Sequence, residues 1–163
     1  MRTVWKTFLL AVLLTGLVTE AAAILGANEL ALAELYGRIR HRSAATISNN
    51  SAEIQYGENL HFRWGQYDVL VVVLSAHCAW IQYRKVDAWN EAEIHRLLKL
   101  NESSLDGWTE AKAGLKKERH WTGGNNRTAR WSRMDSTFVF EMRHFAENLK
   151  LLKKQRPKKD ANY

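Results

Sequence analysis

Residues Glu53 to Val86 read EIQYGENLHFRWGQYDVLVVVLSAHCAWIQYRKV, and their apolar side chains alternate with polar ones instead of recurring at helical spacing. Ile54 and Tyr56 alternate with Glu53 and Gln55, and Leu60, Phe62 and Trp64 alternate with His61 and Arg63. A period of two marks a strand with one buried face. Gly57-Glu58 and Gly65-Gln66 separate these runs. Such a Gly-X pair suits a two-residue type II′ hairpin, because glycine takes a positive φ at the first position without strain. Val69 to Leu74 is an unbroken aliphatic run, the pattern of a strand buried on both faces. Trp80 to Val86 alternates again. The whole stretch predicts an antiparallel meander of about four strands.

Toward the N-terminus, Ser43 to Ser51 (SAATISNNS) is small, polar and without period, so it reads as a loop. Before it, Leu25, Leu32, Leu35, Tyr36 and Ile39 suit an amphipathic helix within residues 24–42. Toward the C-terminus the pattern predicts three helices. Asn90-Glu91-Ala92-Glu93 has the form of a capping box ahead of Ile94, Leu97 and Leu98. Ser103 to Asp106 opens a second helix with Leu105, Trp108 and Leu115 on one face. Phe138, Met142, Phe145, Leu149 and Leu152 recur at helical spacing and predict the third. The expected fold is therefore α+β: an N-terminal helix, a sheet of about four strands, then three helices packed on one face. It forms one domain over residues 24–152, followed by a basic tail, residues 153–163, that Pro157 keeps from continuing as helix. No internal repeat is legible.

The first 23 residues order themselves as a secretory signal: Arg2 and Lys6, then an apolar run from Thr7 to Val18, then Ala21-Ala22-Ala23. The alternative is a signal anchor over residues 7–27, which would have to bury Glu20 in hydrocarbon. Both readings export the remainder, as a secreted or a single-pass membrane-anchored protein. Three sequons, at Asn49, Asn101 and Asn126, fit a secreted glycoprotein. The lone Cys78 excludes an intramolecular disulfide framework and a multi-cysteine zinc site, and its apolar neighbourhood suggests a buried thiol.

Charge is divided unevenly. Residues 24–104 carry eight Lys/Arg against nine Asp/Glu, and residues 105–163 carry fourteen against seven, so the excess lies in the C-terminal part. Such an excess draws anionic partners: nucleic acid, glycan or lipid headgroups at a membrane surface. Between Arg119 and Arg133, cations and aromatics interleave around Gly123-Gly124-Asn125-Asn126, as in polyanion binders. Candidate contacts are Trp121, Arg127, Arg130, Trp131 and Arg133, with Lys153, Lys154, Arg156, Lys158 and Lys159 of the tail. Trp121 and Trp131 would serve as exposed anchors on a loop. No HExxH, P-loop or nucleophile elbow occurs, and no cofactor or metal is implied. Glu118, His120, Arg127 and Arg130 supply the residue types of a metal-independent nuclease, an acid/base pair with cations for the phosphorane. Sequence thus favours an exported binding protein for a protein or polyanionic partner. A secreted nuclease and an anchored subunit of a membrane complex are the alternatives.

Overall fold

A computed structural model describes residues 24–49, 52–103, 107–111 and 117–154. The alternation of residues 53–86 is realised as strands, and strands extend well beyond it. Helix α1 (Glu29–Tyr36) leads into β1 (His41–Asn49), β2 (Ala52–Trp64), β3 (Tyr67–Leu74) and β4 (His77–Arg84). Helix α2 (Glu91–Leu100) leads into β5 (Trp108–Glu110), β6 (Glu118–Gly123), β7 (Arg127–Ser132) and β8 (Thr137–Met142), and α3 (Arg143–Lys154) follows. Among the described residues eight strands form one antiparallel sheet in the order β1-β2-β3-β4-β8-β7-β6-β5.

Several expectations are corrected. The sheet has eight strands instead of about four, so the fold is β-rich. Residues 43–49, expected as loop, form most of β1, because a ladder to β2 supplies the backbone partners that the sequence pattern does not advertise. Trp108 starts a strand and not a helical face, and Phe138 to Met142 is β8. Residues 104–106 and 112–116, also within the expected second helix, lie outside the described residues. The three helices do not share a face. Leu32 and Tyr36 of α1 pack with Ile94, Leu97 and Leu98 of α2 on the face that carries Val71, Ile81, Phe138 and Phe140. On the other face, Phe145 of α3 packs with Ala45, Val72 and Ala79, and Leu149 packs against that cluster.

The hairpins follow local chemistry. Gly65 has φ 55° while Gln66 is not left-handed, the φ pattern expected of a II′ turn. No turn forms at Gly57: β2 runs straight through it, with Ala45 opposite Gly57 and Thr46 opposite Gln55, so Tyr56 is an extra, bulged residue. A side chain at Gly57 would meet the Val73 carbonyl oxygen at 2.5 Å, which is why only glycine fits. Ser75 and Ala76 both have positive φ between the paired Leu74 and His77, a I′ pattern without the usual Asn-Gly. The capping box of α2 forms as expected: the Glu93 amide donates to Asn90 Oδ1, and the Asn90 amide donates to Glu93 Oε2, both at 2.9 Å.

The inner core is aromatic. Tyr36 meets Phe62 and Trp64 at centroid distances of 5.4 and 5.7 Å, and Phe138 meets Phe140 at 4.5 Å. Cys78 is buried in this core, and desolvation pushes its thiol pKa up to about 12. Ile24 and Leu25 are core residues too, and the chain is tied down just after them: the Gly26 amide donates to Cys78 O and the Cys78 amide to Ala27 O, both at 2.8 Å. Among the described residues, no helix is long and apolar enough to cross a membrane.

Candidate functional site

Alternation along β6 and β7 sorts the basic, aromatic segment onto two faces. Arg119, Trp121, Arg127 and Trp131 point inward, beneath the helices, while Glu118, His120, Thr122, Thr128 and Arg130 point outward. The expectation of an exposed loop carrying Trp121 is thus corrected: Trp121 is 4% exposed, tilted against Phe138 at 5.4 Å, with the Arg119 guanidinium 4.9 Å above its ring. Arg127, 3% exposed, donates from Nε to Gly124 O and from Nη1 to Asn101 O, both at 2.9 Å, and lies over Trp108. It holds the β6–β7 turn to the end of α2 and offers no charge to a ligand. Trp131 is half-buried against the inner core. Arg119 is clamped by Glu110 at 2.7 Å and Glu91 at 2.8 Å, and its hydrogen bond holds the Glu110 carboxyl below the usual carboxylate range.

The outer face tells a different story. Cross-strand register sets His120 opposite Arg130, Arg130 opposite Val139, and Val139 opposite Gln82. One pleat along, Thr122 faces Thr128, Thr128 faces Glu141, and Glu141 faces Trp80. Between these two rows lies a cleft of about 320 Å³ whose walls are Trp80, His120, Arg130 and Glu141 and whose floor includes Val139. Trp80 is wedged on one side against the Phe145 cluster under α3 and open on the other. Thr128 Oγ1 donates to Glu141 Oε1 at 3.3 Å, and His120 Nε2 stands 3.6 Å from Glu118 Oε2. Arg130 makes no ion pair with another described residue.

Of the nuclease candidates, the structure gathers Glu118, His120 and Arg130 on one face and removes Arg127. Of the partner-binding candidates, Arg130 and Arg133 are exposed near that face, and Lys153 and Lys154 end α3. Arg156, Lys158 and Lys159 lie outside the described residues. Asn126 is exposed in the β6–β7 turn with φ 56°, and Asn49 is the last residue of β1. Asn101 is 0% exposed, and its Nδ2 donates to Leu97 O at 3.0 Å and to the Tyr83 hydroxyl at 3.3 Å. A glycan on that nitrogen is incompatible with the packed core, which corrects the expectation at this sequon. Thr122, Thr128 and Glu141 are absent from the candidates that the sequence offers, and Trp80 reads there only as a strand residue. Their signal is the period-two pattern of β4 and β6 to β8, which brings Trp80 and Glu141, distant in sequence, into one row. Among the described residues no group of three metal-ligating side chains converges. Compared with known proteins, the chain matches no family model, no curated protein and no solved structure.

Proposed function

We propose that the protein is an exported binding protein that engages a polyanionic partner through its C-terminal half. The observation that carries this is a set of exposed cations, Lys117, Arg130, Arg133, Lys150, Lys153 and Lys154, none of which is ion-paired to another described residue. Charge left unneutralised on a surface attracts anions and releases their counterions on contact. Export is supported by the order of residues 1–23, and Ile24 to Ala27 dock into the domain. That docking leaves 17 residues of the candidate anchor, 7–23, where a span needs about 20. The test is elution of the pure protein from heparin and from immobilised RNA as salt rises. Changing Arg130, Arg133 and Lys150 to Gln and ending the chain at Leu152 should lower the eluting salt on both supports. Unchanged elution by a folded variant sinks the proposal. In a glycosylating host, carbohydrate is expected on Asn126 and not on Asn101, read by peptide mass after deglycosylation.

A second reading is favoured by the proximity of Glu118, His120 and Arg130 on the outer face. In it a ribose 2′-hydroxyl attacks the adjacent phosphorus, its proton passing to Glu118. His120 gives a proton to the departing 5′-oxygen, and Arg130 holds the non-bridging oxygens. Labelled RNA incubated with chelator tests it: no cleavage, or equal cleavage by His120→Ala, removes the nuclease.

A further inference from the structure

The outer-face cleft is not simply basic, and its composition restricts what would fill it. A polyanion held by charge alone needs cations; this cleft also places a carboxylate, Glu141, directly beside an indole, Trp80. From Trp80 on β4, Arg130 is two strands across and two residues along, about 12 Å between their Cα atoms at ordinary strand spacings. His120 faces Arg130 from the next strand. The cleft therefore has two ends of different chemistry, a flat surface with a hydrogen-bond acceptor at one and a guanidinium beside an imidazole at the other.

We infer that this cleft takes a guanine nucleotide. The base would stack on the open side of Trp80, since any base has a π-face that an aromatic ring can cover. Guanine carries adjacent N–H donors on its Watson–Crick edge, and the Glu141 carboxylate accepts from such a pair, whereas adenine presents an acceptor there and is repelled. The phosphate would reach Arg130, whose planar fork suits phosphate oxygens, with His120 as a second donor. The Thr128 hydroxyl already donates to Glu141 Oε1, holding the carboxylate in the cleft, and since each carboxylate oxygen accepts two bonds, both oxygens can still accept from the base. The volume of about 320 Å³ lies at the lower end for small-molecule sites and suits one nucleotide unit. The inference rests on the polyanion reading and makes it specific, because a nucleotide is either free or one unit of a strand.

The test measures binding of guanosine 5′-monophosphate, adenosine 5′-monophosphate and guanosine by calorimetry, with the single-stranded pentaribonucleotides UUGUU and UUAUU as a separate arm. Saturable binding of guanosine monophosphate, about tenfold tighter than adenosine monophosphate, is expected. Glu141→Gln should erase that preference while Arg130→Gln weakens both monophosphates and leaves guanosine unchanged. UUGUU binding more tightly than guanosine monophosphate assigns the site to a strand, and the reverse order assigns it to free nucleotide. No saturable binding of any guanine ligand at millimolar concentration overturns the inference, as does a guanine preference that survives Glu141→Gln. Urea unfolding of each variant confirms that the sheet is intact. Heparin and RNA retention without base preference would defeat this inference alone, whereas loss of retention as well would defeat the binding function.

Discussion

Replacing Lys85 with Met should reveal how the second helix is held to the sheet. Lys85 follows β4 and Glu93 sits in the first turn of α2, with side chains 4% and 11% exposed. The ammonium donates to both carboxylate oxygens, at 2.7 and 2.6 Å, and lies 5.2 Å from the Trp89 ring centre. Removing one member of a buried pair costs about 3–5 kcal/mol, because the other charge is left without its partner. After Lys85→Met, Glu93 still accepts from the Asn90 amide at 2.9 Å and the Tyr67 hydroxyl at 3.1 Å, which places the loss near the lower bound, about 3 kcal/mol. After Glu93→Gln the enclosed ammonium keeps one amide oxygen at most, so about 4 kcal/mol is expected. The double variant should cost about 4–5 kcal/mol, well short of the sum, giving a coupling of about 2–3 kcal/mol. Urea unfolding followed by tryptophan fluorescence measures all four proteins. The pH dependence supplies a second check. Burial opposes the charged form of Glu93, but the Lys85, Asn90 and Tyr67 hydrogen bonds outweigh it, and its pKa falls below the ordinary 4.5. A depressed carboxylate pKa stabilises the fold above about pH 4.5, and that stabilisation disappears as pH falls through the native value. The gap between wild type and Lys85→Met should therefore close in acid. Additive single costs, or a gap constant from pH 7 down to pH 3, would refute this account of the pair.

Three further outcomes follow from particular contacts. Gly57→Ala forces a methyl group to within 2.5 Å of the Val73 carbonyl, a backbone atom that cannot rotate away, so it should cost about 2 kcal/mol in the same unfolding assay. Ser75→Asn with Ala76→Gly supplies the pair that tolerates two left-handed residues and should raise stability by about 1 kcal/mol; a lowered urea midpoint would show that the turn is not strained. Cys78, enclosed and with its thiol pKa pushed up to about 12, should ignore a thiol reagent such as dithionitrobenzoate at pH 8 and react fully in urea.

What the sequence made legible was local. The alternation of residues 60–64 and 80–84, the II′ signal at Gly65 and the capping box at Asn90 all depend on neighbours within a few positions, and each is realised. What it concealed was pairing between distant segments. Phe138, Met142, Phe145, Leu149 and Leu152 match a helical stripe, yet Phe138 and Met142 belong to β8 and only the last three to α3. The spacing of 4 between Phe138 and Met142 is also a multiple of two, so a strand satisfies it equally. His41 to Asn49 shows no apolar alternation because most of its side chains face solvent at the edge of the sheet. In the candidate site, residue types near His120 and Arg130 were visible, but their sidedness required reading residues 118–132 with a period of two. Once that is done Trp121 and Arg127 fall inward together, and the apparent cation–aromatic cluster separates into a structural half and an exposed half.

The position of the cleft follows from how the chain repeats itself. A helix followed by four antiparallel strands occurs twice, as α1 with β1 to β4 and as α2 with β5 to β8, and the second set enters the sheet in reverse order so that β4 meets β8 at the centre. A two-fold rotation about that seam would produce this order, with both leading helices on the inner face. Nothing in such a pair distinguishes one outer face from the other. The distinction comes from α3, which turns back after β8 and seals the outer face of the first set with Phe145 and Leu149 against Ala45, Val72, Tyr56 and Leu74. Among the described residues the second set has no equivalent cover, so β6 to β8 retain an outer face lined by Thr122, Thr128, Arg130 and His120. Trp80 stands at the boundary, packed on one side and open on the other. A polar, hydroxyl- and cation-bearing outer face is stable in water without a lid, whereas the apolar Val72 and Ala79 region required one. Among the described residues, the exposed cations of the C-terminal half and the uncovered outer face of β6 to β8 thus occur together on the second repeat, which is why the proposed binding face is sought there.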